Sequence, residues 1–106
     1  MYNVLIAPSA NADLFNALRY IACELANPQA ATKLADAVEK CYSDLKDFPS
    51  AHELCRDVIL RKSGYRRYHV NNYVVIFRIV EERHEVRVVH IFHSLQDYHS
   101  ILRNEI

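Results

Sequence analysis

Arg67, His69, Arg78, His93 and Tyr98 are the side chains of this sequence best suited to chemistry. Cleaving a phosphodiester through a neighbouring hydroxyl needs a base for one proton, an acid for the leaving oxygen, and cations around the phosphate. His69, His93 or Tyr98 could move protons, and Arg67 and Arg78 could hold the phosphate by charge-assisted hydrogen bonds. Each has an ordinary structural alternative. Tyr98 has helical spacing to Ile101, which favours a core position. His90 lies in an apolar strand, where a hydrogen-bonded core histidine is the commoner case. Arg66 alternates onto the Tyr68 side, a structural position or a bulge, and Asp97 reads as a helix cap. His90 and His93 are three apart on a strand and face opposite ways, so no metal cluster forms. Cys23 and Cys41 read as small buried core residues.

The elements that must position these groups lie between Gly64 and His99. Tyr65–Val70, Tyr73–Val80 and Val86–His93 are β-branched and aromatic runs of strand length. Asn71-Asn72 between the first two tolerates the positive φ of a tight turn, and the polar segment Glu81–Glu85 reads as a second hairpin loop. Together they predict an antiparallel meander. Alternation puts Tyr68 and Val70 on one face, opposite Arg67 and His69. It likewise sets Val75, Phe77 and Ile79 against Val74, Ile76 and Arg78. In the last strand, strict alternation sends Val86, Val88 and Phe92 one way and Val89 and Ile91 the other, as in a strand covered on both sides.

Upstream, Tyr2–Ala7 reads as a strand, and Ser9 after Pro8 reads as a helix N-cap. Leu14, Leu18, Ile21 and Leu25 form one helical stripe. After Asn27-Pro28, the residues Ala31, Leu34, Ala35, Val38, Cys41, Tyr42 and Leu45 form a second. This αα-hairpin must bury its stripes, and the meander is the surface large enough to receive them. Phe48-Pro49-Ser50 stops the second helix. His52–Cys55 reads as a short helical turn, and Val58–Leu60 as a segment that could pair with the sheet. Ser94–Asp97 reads as a capping box, opening a short helix lined by Tyr98, Ile101 and Leu102. The fold class is therefore α+β: an N-terminal strand, an αα-hairpin packed on an antiparallel β-meander, and a short C-terminal helix, in one domain over residues 1–106.

Composition narrows the function. Apolar residues make up 51% of the chain, which excludes a disordered segment. One glycine leaves no room for a Gly-rich phosphate loop. The three cysteines are scattered and match neither a disulfide framework nor a zinc motif. No cofactor is implied. Asp13 and Arg19 interrupt any leader-like apolar run, and no stretch suits a membrane span, so a cytoplasmic setting without membrane contact is expected. Net charge is zero but uneven. Residues 1–55 hold four Lys/Arg against seven Asp/Glu, whereas residues 56–93 hold eight against four. Arg61, Lys62, Arg66 and Arg67 form the basic run that would meet an acidic partner.

The start YNVLIAPSANADL, the link YIACELANPQAATKL, the loop DLKDFP, the block GYRRYHVNNYVVIFRI and the close VVHIFHSLQDYHSIL, in this order, resemble the RelE/ParE toxins of bacterial type II toxin–antitoxin modules. The resemblance spans nearly the whole chain. It implies a growth-inhibiting cytosolic toxin silenced by a cognate antitoxin, touching operator DNA only through that antitoxin. Its target would be DNA gyrase in ParE-like members or ribosome-bound mRNA in RelE-like endoribonucleases; a degenerate relative would only bind antitoxin. Arg67 and His69 match basic positions on the open sheet face of the cleaving members, and His93 and Asp97 match the close of the motif. The chain departs from that pattern at Val74, and again at Leu95 and Gln96, where those members carry arginines. These departures favour the gyrase-type reading over ribonuclease activity.

Overall fold

The computed structural model describes residues 1–105. β1 (Asn3–Ile6) leads into α1 (Pro8–Arg19), which widens into a π-helical turn at Tyr20–Glu24. After Asn27, whose side chain accepts the Ala30 N–H, α2 (Pro28–Asp47) runs back across the molecule. A 3-10 turn (Pro49–Ala51) and α3 (Val58–Lys62) precede the meander β2 (Tyr65–Val70), β3 (Tyr73–Val80) and β4 (Glu85–His93), and α4 (Tyr98–Arg103) follows.

The sheet order is β1-β4-β3-β2, with β1 parallel to β4 and the other pairs antiparallel. The hairpins form where local chemistry allows the backbone to reverse. Asn71 adopts φ 54° between β2 and β3, and His84 does the same before β4. Gly64, at φ 84°, is the sole glycine and ends α3 in a conformation that a Cβ would strain.

Both sheet faces are covered. Ala31, Leu34, Val38, Cys41 and Leu45 of α2, with Ala10, Ala17 and Ile21, pack on Val75, Phe77, Val86, Val88 and Ile91. On the opposite face, Leu60 of α3 and Tyr98 and Leu102 of α4 pack on Tyr65, Val74, Ile76 and Phe92. The hairpin thus buries its stripe on the meander as its periodicity predicts, and Phe77 is fully enclosed. Tyr68 closes the first layer by donating its hydroxyl to Asp44 of α2 at 2.6 Å.

Several expectations change once the elements meet. The extra residue Val89 in β4 breaks strict alternation: Phe77 pairs with Val88, but Ile76 pairs with His90. Val86, Val88 and Ile91 therefore share the hairpin face, and Phe92 turns to the α3–α4 face. Ser9 does not cap α1, which starts at Pro8 with Ala7 as N-cap; its hydroxyl donates to the Val89 carbonyl at 2.6 Å. Asp97, not Ser94, caps α4, and Ser94 donates to the Asn72 carbonyl instead. Val58–Leu60 is helical because Asp57 accepts the Ile59 and Leu60 N–H groups. The extended piece is Glu53–Cys55, which bonds to Tyr65 and Arg67 at the β2 edge. The π turn shifts the phase after Ile21, which leaves Leu25 and Cys23 exposed.

Among the described residues no helix is long and apolar enough to cross a membrane. Truncating Phe77 to Ala is expected to cost about 3–5 kcal/mol, read as a lower denaturant midpoint at unchanged slope.

Candidate functional site

The groups suited to chemistry divide between the two faces. Arg67 and His69 project from β2 on the α3–α4 side and line a cleft of about 440 Å3 with Ala51, His52, Glu53 and Arg56. The Glu53–Cys55 segment closes this cleft at the sheet edge, because Arg67 N–H donates to the Glu53 carbonyl at 3.0 Å and Cys55 N–H to that of Tyr65 at 2.9 Å. The Arg67 guanidinium, 12% exposed, meets the Glu53 carboxylate at 2.6 Å. That bond holds the Glu53 carboxyl below its usual range and raises Arg67, which the Tyr98 side chain also favours. Burial pushes the His52 imidazole down, with Asp44 opposing and Arg66 adding to the shift.

Of the remaining predicted residues, Tyr98 reaches Arg67, whereas Arg78 and His93 lie elsewhere. Arg78 lies over the Tyr65 ring at 5.7 Å. Tyr98 is buried and stacks on Phe92 at 5.7 Å, the core position that its spacing predicts. His93 lies on the other side of the sheet, because the bulge at Val89 turns it, together with Ile91, to the hairpin face. Its ring meets Tyr73 edge-on at 5.1 Å in a cavity of about 560 Å3 that α1 lines with Asp13, Asn16, Ala17 and Tyr20. The Leu95 N–H donates to His93 Nδ1 at 3.1 Å. The structure therefore joins Arg67 to His69 and Tyr98, and separates all three from His93.

Of the basic run, Arg66 donates to the His52 carbonyl at 2.7 Å and Arg61 to that of Cys55 at 3.2 Å, so both brace the segment before β2. Lys62 is exposed. Arg56 and His52 complete the cleft without having been singled out as site residues; the segment carrying them gains its place only from pairing with β2. The Cys41 thiol is pushed up to about 12 by burial and then by Asp44, so it is no nucleophile at neutral pH. Among the described residues no cluster of His, Cys, Asp and Glu could hold a metal ion.

The order of elements and this two-layered sheet agree with one family. The family model for the ParE toxin of the type II toxin–antitoxin system parDE matches residues 4–98. The chain belongs to the ParE toxin family. No curated protein matches this ParE-family toxin at a significant level. Its fold is similar to that in the chromosomal ParDE system of P. aeruginosa, with TM-score 0.70, 18% identity, and coverage of 88% of this chain and 96% of that one. A RelBE2 toxin–antitoxin complex from Mycobacterium tuberculosis matches with TM-score 0.62 and 22% identity, over 87% of this chain and 96% of that one. The intact E. coli RelBE complex matches with TM-score 0.54 and 11% identity, over 91% of this chain and 100% of that one.

Replacing Glu53 by Gln removes the counter-charge of Arg67 at an exposed position. Folding stability is expected to stay unchanged. Affinity for a short single-stranded oligonucleotide, measured by anisotropy at low salt, is expected to rise roughly two- to fivefold and to lose that gain at high salt.

Proposed function

We propose that this ParE-family toxin inhibits growth in the cytoplasm by binding an essential protein target of the DNA gyrase type, without chemistry of its own, and that a cognate antitoxin holds it silent. The observation that carries this reading is the dispersal of the catalytic candidates. His93 is on the hairpin face, Tyr98 is packed in the second core layer, and Arg67 and Arg78 are engaged by Glu53 and Tyr65. A nuclease needs its base, acid and cations converged within hydrogen-bond reach of one phosphate. The family match to ParE toxins supports the same reading.

An antitoxin partner is supported by the structural relatives, which are toxin–antitoxin systems. The basic segment around Arg61, Lys62 and Arg67 would steer an acidic antitoxin segment at long range, so reversing those charges should slow association and flatten its salt dependence. One observation favours a second reading, the ribosome-dependent endoribonuclease. The cleft gathers Arg56, Arg67, His52 and His69 around one opening, a set that could bind a phosphate.

Inducing the toxin alone separates the two. The gyrase reading expects altered plasmid supercoiling, DNA breaks and a damage response, while primer extension on total RNA finds message ends unchanged. Widespread new message ends, absent in Arg67→Ala and His69→Ala variants that still fold, would overturn the first reading in favour of the second.

A further inference from the structure

We infer that Asp13, His90 and Glu105 form a proton-operated clasp, which ties the segment after α4 to β4 and α1 and loosens as pH rises. His90 is buried. Its Nδ1 lies 2.6 Å from Asp13 Oδ2, and its Nε2 lies 2.7 Å from Glu105 Oε1. A carboxylate only accepts hydrogen bonds. A neutral imidazole has one N–H and one lone pair, so one carboxylate would then face a lone pair at close range. Only the imidazolium donates to both. Among the described residues the charges that act on the ring are those of Asp13 and Glu105; β3 presents Ile76 in register, and Phe92 stacks on the ring at 4.6 Å.

Burial by itself lowers the basicity of His90, but the hydrogen bonds to Glu105 and Asp13 and their charges outweigh it and hold the group above the ordinary value of 6.5. The sign follows by linkage. A histidine raised in the folded state contributes stability that is fully present below its unfolded value and is lost as pH rises through its folded value. The two carboxylates are not equally held. Asp13 Oδ2 also accepts the Ile91 N–H at 2.9 Å, and its side chain is 25% exposed against 48% for Glu105. When the Nε2 proton leaves to water, Nδ1–H therefore stays on Asp13 and Glu105 turns to solvent. α4 itself remains docked through Tyr98, Leu102 and the Arg103–Asp57 pair at 3.0 Å. Opening is thus confined to Asn104 and Glu105, just past the end of α4.

Ring-nitrogen NMR of the whole protein, assigned with His90→Gln, tests this directly. Both His90 nitrogens are expected to carry protons at about pH 6, with a midpoint above that of a peptide histidine. Protection of the Asn104 and Glu105 amides, corrected for intrinsic exchange, is expected to fall roughly tenfold between about pH 6 and pH 8.5. Glu105→Gln is a change at a largely exposed side chain that leaves the fold intact. It should lower the His90 midpoint and make protection low and indifferent to pH. A bare ring nitrogen on His90 at acidic pH, or a midpoint and protection unaltered by Glu105→Gln, would overturn the clasp.

Discussion

β4 must satisfy two edges and two faces along nine residues, and the rest of the structure depends on how it does so. Its first half takes β1 on one edge, up to the pairing of Ile6 with Val88. Beyond that point β1 has ended, and exposed backbone groups would be left on a strand that is otherwise buried. α1 supplies the missing partners from its side chains: the Ser9 hydroxyl reaches the Val89 carbonyl, and Asp13 receives the Ile91 N–H. The bulge at Val89 sits at this change of partner. It rotates the strand so that Ile91 continues the hairpin core while Phe92 joins the opposite layer.

That rotation also sorts the polar groups. His93 follows Ile91 to the α1 side, where it shares a cavity with Tyr20 and Tyr73. His90 is left at the edge, within reach of Asp13 on one side and of Glu105 on the other. Arg67 and His69, on β2, stay with the α3–α4 layer. A single inserted residue thus distributes proton-carrying side chains that strict alternation would have grouped differently, and this separation weighs most in reading the toxin as a binder of a protein target.

The positive potential of the sheet region has two physical scales. At long range residues 56–93 carry an excess of Lys/Arg, eight against four acidic residues, which can steer an acidic partner. At short range much of that charge is already used. Arg67 is bonded to Glu53 and Arg87 to Glu85, while Arg66 and Arg61 brace backbone carbonyls. Long-range attraction survives such pairing only in part, because each nearby carboxylate cancels much of its partner's field within a Debye length.

Local signals in the sequence determined the element types, the meander and the two amphipathic stripes. Strand alternation in β2 and β3, helical spacing away from the π turn, Asn27-Pro28 and Asn71-Asn72 act through backbone geometry and neighbouring side chains, so they are legible without the fold. Phe77 facing the hairpin, the buried Tyr98 and the cap at Asp97 follow from such spacing. Other features were decided only by the tertiary structure. The place of β1 beside β4, the bulge at Val89, and the extended Glu53–Cys55 segment all answer to partners distant in sequence. The same is true of which arginines are free and which are tied. A hydrogen bond or ion pair between β2 and residue 53 leaves no period in the sequence; it exists because the packed sheet offers an unpaired edge and the chain passes within reach of it.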